Sequence, residues 1–482
     1  MHPAIISRVL GILLVIYSIA LVPPVIVSLI FKDNAHFAFL ITIGITLSSG
    51  FFLWSLARHK RQDLRTRDGF VVTALFWTVL GLFGSLPFML AEAPGLSFSD
   101  AVFESLSGLT TTGATVITGL DYLPESILLY RQLLQWLGGI GIIVIAMAIL
   151  PMLGIGGMQL YRAETPGPVK DTKLTPRIKE TANALIFIYV GLTILCCAAY
   201  WYAGMSFFDA ICHAFSTVAI GGFSTHDASI GYFDSPSIMI VAMIFMFFSG
   251  INFALHFFAW NSRSLKQYFF DPECKFYAYC IAIGLVTTAG YLFYSGTYGV
   301  KDSLLLGSFE LVSIVTTTGF GATDFNAWPS FLPFMLFFGA FMGGCAGSTG
   351  GGMKVIRVLL VCKQAVREMH RLIHPNAVIP IKIGNKPVSD RVVDAVWGFF
   401  AAYVFVFVAM FLLLMAAGLD FTTAFSAVAA CINNLGPGMG DVAFHYGNIP
   451  VFAKWVLCFA MLLGRLEVFT LLVLFSPMFW RR

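Results

Sequence analysis

The chain has 482 residues, of which 58% are hydrophobic, 15% aromatic and only 11% charged. A soluble domain carries roughly 25% charged residues, so the composition excludes a soluble enzyme and places the chain in a bilayer. The net charge of +4 follows from uneven loops and gives no reason to expect a nucleic-acid partner.

Apolar stretches of about 20 residues, the length a helix needs to cross a bilayer, recur along the sequence. Ten spans are predicted, near 5–31, 35–57, 69–91, 126–155, 182–204, 236–260, 276–297, 330–353, 392–417 and 451–476. The first has no small-residue cleavage site and reads as a retained span with a kink at Pro23-Pro24. Shorter apolar runs near 98–110, 207–218, 303–315 and 421–432 cannot span and are expected to be re-entrant half-helices.

Each short run leads into a glycine. Thr110-Thr111-Thr112-Gly113 returns as Thr316-Thr317-Thr318-Gly319, with weaker copies at Ala219-Ile220-Gly221-Gly222 and Asn433-Asn434-Leu435-Gly436. Phe98, Phe207 and Phe421 each lie fifteen residues before their glycine. This self-similarity divides the chain into an N-terminal two-span unit, 1–68, and four units, 69–160, 161–265, 266–390 and 391–482. Two full spans separate successive copies, so the copies run in the same direction, unlike inverted transporter repeats. The expected fold is an all-α membrane protein with four parallel span–half-helix–filter loop–span repeats around one pore.

One such string would be an ordinary turn; four in register argue for more. Non-helical backbone at membrane depth is tolerated only where it lines a cavity or is covered by protein. Rings of backbone carbonyls there can replace the hydration shell of a cation, and glycine permits the positive φ the turn needs. The half-helix C-termini would add negative potential. The expected ion-binding residues are Thr111, Thr112 and Gly113; Ile220, Gly221 and Gly222; Thr317, Thr318 and Gly319; and Asn434, Leu435 and Gly436. A single glycine in three of the four loops, and no threonine in the fourth, predict weaker discrimination than in a potassium channel.

Residues 343–352 read Gly-Gly-Cys-Ala-Gly-Ser-Thr-Gly-Gly-Gly. Interior glycine costs about 1 kcal/mol relative to alanine, so this span should be broken. Met353 stands between Gly352 and Lys354, which spoils the likeness to a phosphate loop. The run is either a close-packing site or a flexible gate built on Gly343, Gly344, Gly347, Gly350, Gly351 and Gly352. Arg465 falls eleven residues beyond Lys454 in the last span, where a charge requires a cavity or a partner. Structural pairing and a role at the gate both remain open at this point. Glu104 and Glu310 are expected to buttress the loops. His370 and His374 lack the glutamate of a zinc motif. The nine cysteines show no metal-binding spacing, and no nucleophile–base constellation indicates an enzyme.

The linkers 58–67, 158–181, 261–275 and 354–391, with the termini, hold most of the 29 basic residues. By the positive-inside rule, both termini are cytoplasmic and the glycine loops enter from outside. Lys363, Arg367 and Arg371, at four-residue spacing, would face anionic lipid, a partner or water.

The plan of the chain resembles the Trk/Ktr/HKT superfamily of potassium transporters. Trp136-Leu137-Gly138-Gly139-Ile140-Gly141, the stretch Val218 to Asp227 and Gly464-Arg465-Leu466-Glu467 look like the bacterial TrkH branch. The resemblance implies potassium uptake across the inner (plasma) membrane, with potassium as the substrate at the filter and no directly bound cofactor. It implies a homodimer with one pore per protomer, and a cytosolic Rossmann-type ring that binds nucleotides and regulates it. It also favours the gate reading of 343–352 and places Arg465 in the pore opposite that loop. An obligatorily proton- or sodium-coupled symporter of the same architecture is the alternative. The absence of lone mid-span carboxylates other than Glu467 argues against it.

Overall fold

A computed structural model describes residues 2–57, 66–144 and 178–481. The basic run Arg58-His59-Lys60-Arg61 and most of the 158–181 linker lie outside the described residues. Among them, six helices are long and apolar enough to cross a membrane: Pro3–Phe31, His36–Ser55, Arg67–Leu90, Asn183–Tyr202, Pro272–Tyr294 and Asp390–Ala416. Their outer faces are apolar too, with Phe187 67% and Phe405 74% exposed, which suits a lipid solvent and no other. The expected span at 126–155 begins as the helix Glu125–Val144 and then leaves the described residues.

Two expected spans are not straight, which corrects the sequence reading. Pro236–Ser249 and Phe253–Ser262 meet at 93°, and Val451–Arg465 and Phe469–Phe475 at 117°. At the first bend the Asn252 side chain accepts the Ala254 N–H at 2.8 Å and so starts a new helix. At the second, Glu467 and Val468 take φ of 55° and 50°, values at which a right-handed helix cannot continue. The first span breaks at Leu21, just ahead of Pro23-Pro24, because proline cannot donate the bond a continuing helix requires. The 354–391 linker departs from the all-α expectation by a small antiparallel pairing of Lys382–Ile383 with Lys386–Pro387.

Between the long helices lie four short ones, Phe98–Leu109, Phe207–Ala219, Val300–Val315 and Phe421–Ile432. Ser97, Ser206 and Asp420 cap three of them by accepting N–H groups of their first turns, a stabilisation of about 1 kcal/mol each. The third begins at Gly299 without a side-chain cap.

Apolar packing forms two main masses. One joins the N-terminal pair to the first and fourth short helices, and the other joins the second and third. The end of the chain thereby packs against its beginning. Since lipid gives helices no hydrophobic reason to associate, close approach through small residues is what holds them. A Cβ added at Gly11 would lie 2.6 Å from the Gly50 carbonyl oxygen.

Candidate functional site

Each short helix ends in the same way. Thr111, Ile220, Thr317 and Asn434 adopt left-handed φ of 54°, 54°, 66° and 53°, and the glycines two residues on, Gly113, Gly222, Gly319 and Gly436, have φ of 81°, 78°, 82° and 96°. The residue between them returns its N–H to the helix. Thr112 to Ser107, Gly221 to Ser216, Thr318 to Ser313 and Leu435 to Ala430 are all 2.8 Å bonds, the 6→1 closure of a Schellman cap. Left-handed backbone at a β-branched residue costs on the order of 1–3 kcal/mol, and Thr111, Ile220 and Thr317 all carry it. Such strain is retained where surrounding structure enforces it, and it clusters at functional positions.

The four loops close on one another. A Cβ at Gly113 would lie 2.1 Å from the Gly221 carbonyl oxygen, one at Gly222 2.0 Å from that of Thr318, one at Gly319 2.0 Å from that of Leu435, and one at Gly436 2.6 Å from that of Thr112. Each glycine is therefore pressed against the preceding-residue carbonyl of the next loop, first to second, second to third, third to fourth and fourth to first. Of the twelve residues singled out in the sequence, the four glycines and the four residues before them make the contacts of this ring, and Thr111, Ile220, Thr317 and Asn434 precede them with left-handed φ. No side chain larger than hydrogen fits at the ring's four junctions.

Polar side chains brace the ring from behind. Glu104 accepts the Val116 N–H at 2.9 Å and the Thr115 hydroxyl at 3.0 Å, and Glu310 accepts the Ala322 and Thr323 N–H groups at 2.7 and 3.1 Å. Both carboxylates face their own loop's outgoing limb. In the fourth loop the Ser426 hydroxyl accepts the Met439 N–H at 2.8 Å, and in the second His213 Nε2 lies 2.9 Å from the Ser224 hydroxyl. Arg131, fully buried, donates to Glu104 at 2.9 Å and to the Ser224 carbonyl at 2.9 Å, tying the first loop to the second. Arg131 belongs to the helix Glu125–Val144, away from the basic linkers and outside the repeated motif.

The glycine run breaks its span after Met342, with Gly343 at φ 67° and ψ −153°, a region open essentially to glycine alone. The chain becomes helical again only at Val355–Ile373. Between these helices the run lies against the C-terminal ends of the short helices. The Thr349 hydroxyl donates to the Val218 carbonyl at 3.0 Å, and the Gly352 N–H to the Asn433 carbonyl at 3.1 Å. A Cβ at Gly351 would meet that Asn433 oxygen at 1.9 Å, and one at Gly350 would meet the Thr316 oxygen at 3.2 Å. Carbonyls at helix ends lack intrahelical partners, and the run supplies some of the missing donors. It is also stitched to the first sharp bend: Cys345 N–H donates to Gly250 O at 2.8 Å and Phe253 N–H to Gly347 O at 3.0 Å. Glu273, which nothing in the sequence marked, accepts the Ala346 N–H at 2.6 Å.

Arg465 is the last residue of its helix, at the 117° break between Val451–Arg465 and Phe469–Phe475. Its guanidinium donates to the Thr349 carbonyl at 3.0 Å and the Gly138 carbonyl at 3.1 Å, and it lies 5.6 Å from the Trp77 ring. It thus joins the glycine run to the Trp136–Gly141 segment. Lys354, also buried, donates from Nζ to the Gly350 carbonyl. Glu467 forms an ion pair with Arg357 of the helix after the run. His370 and His374 lie near the exposed end of that helix, and no cluster of metal-ligating side chains occurs among the described residues.

A helical membrane protein whose loops converge on one ring of glycines and carbonyls belongs to the class of membrane transport proteins, and the comparisons with known proteins specify which. The family model TrkH, "Cation transport protein", matches residues 35–482. The chain belongs to the TrkH family. It is 58% identical over 477 residues to the Trk system potassium uptake protein TrkH of Halomonas elongata, covering 99% of each chain. It is 52% identical to the protein of that name from Escherichia coli K12, covering 100% of each. The crystal structure of the potassium transporter TrkH from Vibrio parahaemolyticus superposes with a TM-score of 0.93 at 52% identity, covering 100% of both chains. The family resemblance read in the sequence is borne out, and the chain is a transport protein rather than an enzyme.

Proposed function

We propose that the protein is the potassium-conducting membrane subunit of a bacterial uptake system, with the glycine ring as its selectivity filter and residues 343–352 with Arg465 as its gate. The observation that carries the reading is the cyclic contact of each filter glycine with the next loop's carbonyl. Four carbonyls held by four interlocked turns are suited to stripping water from a monovalent cation. The C-terminal poles of four short helices add negative potential at the same place. That relatives of this identity are named for potassium uptake supports potassium as the ion.

In this reading the chain is built of four parallel repeats plus the N-terminal pair, its termini are cytoplasmic and it lies in the inner membrane. It works as a homodimer under a cytosolic nucleotide-binding ring; the relatives' designation as parts of a Trk system supports partners. Conduction is channel-like. The carboxylate that most favoured coupling, Glu467, is paired with Arg357 and so is a poor proton carrier.

The test is the reversal potential of the reconstituted protein, with its regulatory subunit, across imposed potassium and pH gradients. A reversal potential that follows potassium alone is expected. One that moves with the proton or sodium gradient establishes coupled symport instead, and the absence of potassium flux overturns the assignment.

A further inference from the structure

The four filter loops are not braced alike, and the difference follows their sequences. In the first and third, the flanking threonines brace each other: the Thr110 and Thr112 hydroxyls lie 2.7 Å apart, as do those of Thr316 and Thr318. The second and fourth loops have Ala219 and Gly221, and Asn433 and Leu435, at these positions, so no such pair can form. Each of these two loops instead receives a side-chain donor from elsewhere on one of its carbonyls. Gln135, on the helix Glu125–Val144, donates from Nε2 to the Gly221 carbonyl at 2.6 Å. Tyr446 donates its hydroxyl to the Gly436 carbonyl at 2.7 Å.

The Gln135 amide can point only one way. Its Oε1 accepts the Phe223 backbone N–H at 3.2 Å and the Ser216 hydroxyl at 2.7 Å. Since the Phe223 N–H can only donate and the Gly221 oxygen only accept, the reversed amide would lose both backbone bonds. Tyr446 is equally fixed: its own N–H donates to the Thr115 carbonyl at 2.7 Å, and its ring lies 5.4 Å from that of Phe103. Gln135 and Tyr446 are both buried.

We propose that Gln135 and Tyr446 are specificity-determining positioning residues, which hold the Gly221 and Gly436 carbonyls in the filter where the second and fourth loops lack threonine braces. The proposal rests on the reading of the ring as a selectivity filter. A carbonyl oxygen has two lone pairs. Each donor occupies one and fixes the direction of the other, so the carbonyl cannot swing to fit a smaller ion. The two outside braces act one residue apart in register, on the carbonyl before the key glycine in the second loop and on that of the glycine itself in the fourth.

The experiment measures the potassium-to-sodium permeability ratio and the melting temperature of the reconstituted protein for Tyr446→Phe, Gln135→Met and Gly319→Ala. Tyr446→Phe removes one oxygen and leaves the ring contacts. Losing one such bond is expected to lower the ratio by about threefold to tenfold, with melting little changed; Gln135→Met, which also releases the Phe223 N–H, should lower it at least as far. A ratio within twofold of the native value in folded Tyr446→Phe overturns the proposal, whether or not Gln135→Met folds. If Gly319→Ala loses selectivity while Tyr446→Phe keeps it, the filter stands and this inference falls. If neither loses it, the filter reading has failed.

Discussion

The Gly351 N–H donates to the Thr317 hydroxyl at 2.7 Å. One hydrogen bond thus joins a left-handed residue of the third loop to the far end of the glycine run, and both groups are buried. A displacement of the run has to break it, so the run's position is felt directly at the ring.

Thr317→Val keeps the shape and the β-branch but removes the acceptor, leaving the buried Gly351 N–H without this partner. If the run closes the proposed gate, the cost of about 1–3 kcal/mol falls on the closed arrangement. Potassium flux without activation is expected to rise in Thr317→Val and to stay near native in Thr317→Ser. Tracer flux normalised to folded protein checks this; equal flux in the two variants would detach the loop from the gate.

The ring junctions make a sharper forecast than glycine's φ alone. At Gly319 even a methyl group would overlap the Leu435 oxygen at 2.0 Å, whereas a Cβ at Gly321 meets nothing within 4 Å. Gly319→Ala should therefore abolish potassium-over-sodium discrimination, and Gly321→Ala, two residues away, should leave it intact. A competition assay of potassium uptake against excess sodium gives both answers.

These relationships were unevenly legible in the sequence. The glycines and the short helices could be read because the pattern repeats, and Ser97, Ser206 and Asp420 mark helix starts by local chemistry. The bends at Gly250–Asn252 and Leu466–Val468 could not, since each falls inside one long apolar stretch and neither Asn252 nor the Arg465–Glu467 pair dictates a turn by itself. Val468 takes its left-handed φ against its own preference, so tertiary packing imposes it. Gln135 and Tyr446 reach their carbonyls across 86 and 10 residues, and neither belongs to the repeated motif. Arg465 was visible as a charge out of place, but its two carbonyl partners, 116 and 327 residues away, depend on the folded path of the chain.

Outside the spans, His226 lies 2.5 Å from Asp121 and 3.5 Å from Asp209, with its ring stacked on Tyr232. Burial lowers its pKa, but the two carboxylates outweigh burial and hold it above the usual value. Burial likewise raises that of Asp209, and hydrogen bonds from His226, Ser206 and Thr225 bring it well below the carboxylate range. The histidine's contribution to stability is full below its unfolded value of about 6.5 and is lost as pH rises through the raised one. That of Asp209 is present above about 3.9 and is lost as pH falls through the depressed one. Relative to His226→Gln, the native protein should melt at a higher temperature near pH 6, with the advantage shrinking in alkali. Parallel melting curves across that range would expose the idea if their separation stayed constant.

Arg465 is where two readings of one side chain make opposite forecasts. Its guanidinium holds the Thr349 carbonyl of the glycine run and the Gly138 carbonyl of the first unit, and it places a positive charge beside the run. Hydrogen bonds from a charged donor are worth about 1.5–3 kcal/mol. If they hold the run in the closed position, Arg465→Ala shifts the closed-to-open balance by roughly tenfold or more, and the loss of charge lowers the barrier to cations as well. Potassium flux per folded protein should then rise in the alanine variant. Arg465→Lys retains the charge and one donor but not the fork, and should fall between alanine and native. If the arginine only ties the fold together, Arg465→Ala strands two buried carbonyls, and melting temperature and yield fall without any gain in flux. Measuring both quantities on the same preparations separates the cases. A destabilised protein that still conducts no more than the native one would assign Arg465 to the scaffold.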